Sequence, residues 1–189
     1  MNIETIIKEL NNQIYKTINL SKISLKTIKT RMGEMVIVAT DKGVCLFEFA
    51  DYKYLKKELL QIMKNYNGIF IIENHHYFDL LISQLEEYFK EKRSVFDIKL
   101  DMIGTDFQKT VWNSLLKIPY GQTISYKQQA DILRKPSAVR AVANANGQNK
   151  ISILIPCHRV IGSNGSLTGF GGGIERKKML LELESRNKY

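Results

Sequence analysis

Cysteine is nearly absent. Cys45 and Cys157 are the only two in 189 residues, which excludes a disulfide-stapled fold. No CxxC or HxxxH spacing occurs, so a zinc site built on cysteines is excluded as well. His75 and His76 are neighbours that point in different directions in any regular element. They read as two solvated side chains before a helix, and no metal is expected. Long apolar runs are also missing. Stretches such as GVCLFEFA and SILIP fall far short of the ~18–20 residues of a membrane span. The first residues, MNIETIIKELNNQ, carry acids early and lack the apolar core of a secretory signal. A soluble, cytoplasmic protein without membrane association is therefore expected. No internal repeat or low-complexity tract appears. The glycines near the C-terminal end lack the order of a Walker loop or a dinucleotide fingerprint, so no nucleotide cofactor is expected.

Acid is scarce in one half only. Residues 1–103 hold 15 Lys and Arg against 14 Asp and Glu, whereas residues 104–189 hold 13 against 5. Nearly all of the net charge of +9 is thus C-terminal. A positive field concentrated on a small domain favours a polyanion, most simply nucleic acid. With 44% hydrophobic residues, the chain can build one or two compact domains. The composition shift near Gly104 predicts a boundary between residues 1–103 and 104–189.

The first segment mixes strands and helices. Residues 24–50 hold short Val-, Ile- and Phe-rich runs broken by R-M-G-E and T-D-K-G, the pattern of an antiparallel meander. Apolar spacing of three and four predicts helices over 51–65 and 76–91. Residues 68–73 and 95–102 read as strands, the latter from its alternation. Cys45, inside VCLFEF, reads as a buried structural thiol. After Gly104 the pattern is mainly helical. Thr105 or Asp106 can cap a helix with Phe107, Val111, Leu115 and Ile118 on one face, and Trp112 is assigned to core packing. Ser125 can cap a short helix, YKQQADIL. Lys135-Pro136-Ser137 stop it and open AVRAVANAN. Two short helices about a tight break in a basic segment suggest a helix-turn-helix. The second is lined by Ala138, Ala141, Ala143 and Ala145, so Arg140 projects from a thin helix. Ser163-Asn164-Gly165 predict a tight turn. A last helix, ERKKMLLELE, should bury Met179, Leu180 and Leu183.

Residues 151–162, ISILIPCHRVIG, place a thiol, an imidazole and a guanidinium within an apolar run. A free thiol has a pKa of ~8.5, so Cys157 needs a base, a cation or a helix N-terminus to act as a nucleophile. His158 and Arg159 face opposite ways in a strand but converge around a tight turn, and Pro156 favours irregular backbone there. A base then needs an orienting carboxylate. Asp106, Asp131, Glu175, Glu182 and Glu184 are the acids of this half, and the residues by themselves do not choose among them.

ILIPCHRV followed by GSLTGFGGGIERKKMLLELE closely resembles the O6-alkylguanine-DNA alkyltransferases, or methylated-DNA–protein-cysteine methyltransferases. FQKTVWNSLLKIPYGQTISY and AVRAVANANGQN fit the same family in order and spacing, so the resemblance spans about residues 104–184. It implies an α+β chain: a small N-terminal α/β, ribonuclease-H-like support domain, then a mainly helical, winged helix-turn-helix alkyltransferase domain. It further implies direct DNA repair without a cofactor. Cys157 would take the alkyl group from O6-alkylguanine and would keep it, so each molecule acts once; acceptance of O4-alkylthymine depends on a pocket shape that the sequence leaves open. The implied relay runs from Glu184 through His158 and a water to Cys157, with Asn149 bracing the turns. The partner would be double-stranded DNA bound through its minor groove by a monomer. The damaged base would be flipped out, with Arg140 filling the gap and Tyr126 pushing on the phosphate and bonding the base edge. Ser152, Val160, Phe170 and Gly171 would line the base pocket. One position departs from the pattern. Many relatives carry a tyrosine where this chain has Phe170, which cannot donate a hydrogen bond to the leaving oxygen.

A non-enzymatic, alkyltransferase-like damage-binding protein would keep the fold and replace the cysteine, which Cys157 argues against. A thiol hydrolase would need an oxyanion hole that the sequence does not offer.

Overall fold

Strand patterning in the first third of the chain produces a mixed four-stranded sheet. The computed structural model describes residues 2–12 and 20–186. These fall into two compact units, one holding the chain up to Leu81 with Ile98–Ile103, the other Ile82–Asp97 with the chain from Gly104.

In the first unit, helix α1 (Ile3–Asn11) is capped by Asn2, whose side chain accepts the Glu4 N–H. Strands β1 (Ser21–Thr30), β2 (Gly33–Thr40) and β3 (Gly43–Phe49) form the antiparallel meander. After α2 (Leu55–Tyr66), β4 (Gly68–Ile72) joins parallel to β1, giving the order β3-β2-β1-β4. One buried cluster unites Ile6, Ile7 and Leu10 of α1, Ile23, Leu25, Val36 and Val38 of the sheet, and Leu59, Ile62 and Met63 of α2. Each such side chain contributes about 1.5–3 kcal/mol on burial. Cys45 belongs to this cluster; burial pushes its thiol far above the usual range, so it stays an inert thiol.

Residues 95–102 are not a strand. Their alternation yields a single bridge, Leu100 to Val44, through Val44 N–H to Lys99 O and Asp101 N–H to Val44 O, both 2.9 Å. The approach is close enough that a Cβ on Gly43 (φ 139°) would lie 2.5 Å from the Lys99 carbonyl oxygen. The division into units passes through α3 (His76–Phe89) and reclaims residues 82–97 for the second unit.

The second unit is helical. Thr105 and Gln108 form a capping box at α4 (Asp106–Leu115), and Ser125 with Gln128 another at α5 (Tyr126–Ile132). Arg134, at φ 55°, turns the chain after α5, and a 3₁₀ turn over Pro136–Ala138 leads into α6 (Val139–Asn146). The expected pair of helices about a tight break is present. A buried polar knot ties it to α4. Gln129 Nε2 donates to Ser114 Oγ at 3.0 Å, and Asn146 Nδ2 donates to Gln129 Oε1 at 2.6 Å. Trp112 is buried as assigned, and its ring N–H donates to Ala145 O at 2.8 Å. Two-residue strands β5 (Ile124–Ser125) and β6 (Val160–Ile161) pair in parallel. The chain's last helix, α7 (Ile174–Arg186), buries Lys177, Leu180, Leu183 and Glu184. Met179, expected on that face, is 42% exposed. Two charged residues occupy the inward stripe that apolar periodicity assigned to Met179.

Candidate active site

The backbone before Cys157 is folded unusually tightly. Leu154 N–H donates to Ser152 O at 2.9 Å across Ile153, which sits at φ 71°. Cys157 N–H donates to Ile155 O at 2.8 Å across Pro156 at φ −80°, ψ 61°. Both are three-residue γ-turns. A β-branched residue in the left-handed region costs on the order of 1–3 kcal/mol and persists only where neighbours hold it. Asn149 is one such neighbour. Its Oδ1 accepts from Ile151 N–H at 3.0 Å, and its Nδ2 donates to Ile155 O at 2.9 Å and to Cys157 Sγ at 3.3 Å. The chain then makes a 3₁₀ turn over Cys157–Arg159. This turn brings imidazole and guanidinium to a common partner. Cys157 itself keeps 8% exposure.

That partner is Glu184, on the buried face of α7. Its Oε1 receives His158 Nε2–H at 2.9 Å, Arg159 Nη2–H at 2.9 Å and the Tyr88 hydroxyl at 2.7 Å. Its Oε2 receives Arg159 Nε–H at 2.8 Å and Gly121 N–H at 3.2 Å. Arg159 also donates from Nη1 to Ile118 O at 2.6 Å. Burial pushes the Glu184 carboxyl up, but the bonds and charges of His158 and Arg159 outweigh it and hold the group well below the usual carboxylate range. Burial likewise lowers His158. Glu184 opposes that shift, while Arg159 and Lys177 add to it. The result is a neutral imidazole whose proton lies on Nε2, bonded to a fixed anion. Its Nδ1 lone pair has no partner among the described residues, and that atom is buried. With Nε2 tied to Glu184, Nδ1 is the basic nitrogen of this ring, in the residue next to the thiol.

A second clasp holds the loop beyond β6. Lys177 Nζ donates to Val160 O at 2.6 Å, Thr168 O at 2.7 Å and Gly169 O at 3.4 Å. Among the described residues no carboxylate pairs with it, and burial lowers its pKa to about 8 against the raising effect of Cys157. Tyr126 donates its hydroxyl to the same Thr168 oxygen at 3.0 Å. Phe170 stands edge-on to His158, ring centroids 6.4 Å apart. Ser152 and Val160 are buried, and Gly171 is partly exposed beside Phe170.

The structure thus shows two bonded pairs, Asn149 with Cys157 and His158 with Glu184, joined by the peptide bond between Cys157 and His158. Lys177 and Tyr126 share the Thr168 carbonyl, Lys177 also holds Val160, and Phe170 lies against His158. Arg140 takes no part in these contacts. It stands on the exposed side of α6, where its neighbours are Ala141, Asn144 and Gly147. Sequence reasoning missed Tyr88, Lys177, the Gly121 N–H and the two parallel hydrogen bonds from Arg159 to Glu184. Their one legible signal was Lys177 and Glu184 spaced seven apart, two turns along one helix face.

Residues 106–186 match the family described as 6-O-methylguanine DNA methyltransferase, DNA binding domain, and residues 23–102 match its ribonuclease-like domain. A Methanosarcina barkeri methylated-DNA–protein-cysteine methyltransferase is 44% identical over 161 residues, covering 85% of this chain and 96% of that protein. The inducible Bacillus subtilis methylated-DNA–protein-cysteine methyltransferase is 42% identical over 150 residues, covering 79% and 83%. Among solved structures, Mycobacterium tuberculosis O6-methylguanine methyltransferase superposes with a TM-score of 0.75 at 38% identity, covering 88% of this chain and 95% of that one. The structure of the M. tuberculosis protein in complex with DNA gives 0.73 at 38% identity, covering 88% and 94%.

Proposed function

Because the chain belongs to the 6-O-methylguanine DNA methyltransferase family, we propose that it repairs DNA by moving the alkyl group of O6-alkylguanine onto its own Cys157. The Cys157 proton passes through a water to His158 Nδ1, and Glu184 steadies the imidazolium that forms. The thiolate attacks the alkyl carbon. The S–C bond forms as the C–O6 bond breaks, the electron pair returns to the guanine, and the proton is given back to the base. Nothing in the site reverses a thioether, so each molecule acts once. The observation that carries this reading is the bonded series Asn149–Cys157 and His158–Glu184 inside a buried turn.

The residues around this series take the remaining roles. Asn149 presents an N–H to the sulfur, which favours the thiolate. Phe170, Gly171, Ser152 and Val160 bound the pocket. Phe170 has no hydroxyl for the leaving oxygen, and backbone N–H groups of the glycine-rich loop take that part. Arg140 enters the stack where the flipped base was, and Tyr126 leaves Thr168 to meet the phosphate and the base edge. The small side chains beside Arg140 suit a minor groove only ~6 Å wide. Residues 104–189 bind the DNA and residues 1–103 support them, in a monomer acting in the cytoplasm.

The test is a mass measurement. Incubation with duplex DNA containing O6-methylguanine should add one methyl to Cys157 per molecule and restore guanine, and Cys157→Ala should transfer nothing while still binding the duplex. Tight binding by the wild-type protein without any mass gain would refute the reading and favour a damage-binding protein instead.

A further inference from the structure

The Tyr88 hydroxyl reaches Glu184 from far away in sequence. It lies 96 residues earlier, outside the segment matched to the family's DNA-binding domain, yet within the same compact unit as Glu184. Tyr88 is fully buried, and its O–H bonds Oε1, the same oxygen that receives His158 Nε2–H. Filling that space needs only the ring. Phe96 and Tyr120 already pack the ring at centroid distances of 5.2 and 5.9 Å. The hydroxyl does something else. It is the shortest of the three bonds to Oε1, and burial together with the Glu184 charge keeps the phenol protonated, so it serves only as a donor there.

We propose that Tyr88 is a positioning residue of the transfer reaction: its O–H fixes Glu184 Oε1 in line with His158 Nε2 and takes up part of the negative charge that His158 would otherwise feel. The inference rests on the reading of Cys157 as the alkyl acceptor. The titratable and charged groups around this oxygen are His158 and Arg159 from the 3₁₀ turn and Tyr120 from the turn after α4, with Lys177 of α7 acting on His158. Without the Tyr88 donor the carboxylate pulls harder on the imidazole N–H, the imidazolium survives to higher pH, and the ring loses its fixed aim.

The experiment uses the full chain and methylated duplex DNA, and follows the transfer rate constant against pH together with DNA affinity and thermal midpoint. Tyr88→Phe keeps the ring. It should slow transfer about tenfold, as expected for a lost hydrogen bond to a charged group, and should move the acid limb of the rate profile upward with DNA affinity unchanged. Phe96→Leu loosens the packing around the ring and leaves the hydroxyl. It should lower the thermal midpoint without moving the acid limb. An unchanged rate and limb in Tyr88→Phe, with an active wild-type protein, would overturn the role of Tyr88 alone. An equal shift in Phe96→Leu would reduce that role to packing and overturn it too. A wild-type protein that left Cys157 unmodified would overturn the transfer reading itself, and this inference with it.

Discussion

Five hydrogen bonds converge on the two oxygens of Glu184. A buried carboxylate that surrenders one charge partner is expensive, but here the anion is the hub and its donors are the dependants. Glu184→Gln leaves Arg159 buried without its counter-charge, and such a loss costs about 3–5 kcal/mol. The carboxyl is held below its usual range in the folded state. Its contribution is therefore complete above the unfolded value of about 4.3 and is lost as pH falls below it. Denaturant unfolding of wild-type and Glu184→Gln proteins should show the widest gap near neutrality, narrowing steadily once the pH drops under about 4. A gap independent of pH would mean that the ion pair contributes nothing and that the variant fails for reasons of shape.

Among the elements, α6 separates most clearly into two faces. Val142, Ala145 and Asn146 point inward, the last into the Gln129–Ser114 knot, while Arg140 and small residues face out. If Arg140 fills the gap left by a flipped base, Arg140→Ala should slow repair of duplex DNA at least about tenfold, given the few kcal/mol that unstacking costs, and should hardly change the reaction with free O6-benzylguanine. Equal losses on both substrates, measured as transfer rates, would remove that role. Much of this level was legible in the sequence. The caps at Thr105 and Ser125, the break at Pro136 and the thin helix all follow from local chemistry. Residues 95–102 misled because alternation reports which side chains face inward, and it does not report whether a neighbouring strand offers enough backbone to pair with. Met179 misled for the opposite reason. The inward face of α7 is set by two charged side chains whose partners, Val160 and Thr168 carbonyls for Lys177 and the 3₁₀ turn for Glu184, come together only when the chain is folded. Tyr88 could not be found from its own segment, because the bond its hydroxyl makes spans 96 residues.

For the whole molecule, charge is the governing quantity. The 13 basic and 5 acidic residues of 104–189 give that segment a positive field that residues 1–103 barely add to. Binding to undamaged duplex should then be chiefly counterion release. Raising salt from 50 to 200 mM should weaken it by on the order of 10- to 10³-fold if a few phosphates are neutralised. A titration series by fluorescence anisotropy checks this, and a flat response to salt would contradict it. The same basic surface has a consequence for covalent marking. Lysines on the outside offer their amines to any acylating reagent or enzyme, whereas Lys177 is shut away and spends its protons on three backbone oxygens. Acylation can therefore erase much of the charge that holds DNA and leave the clasp beside Cys157 unmarked, so adhesion to the duplex and readiness of the thiol are separable by chemistry on the surface alone.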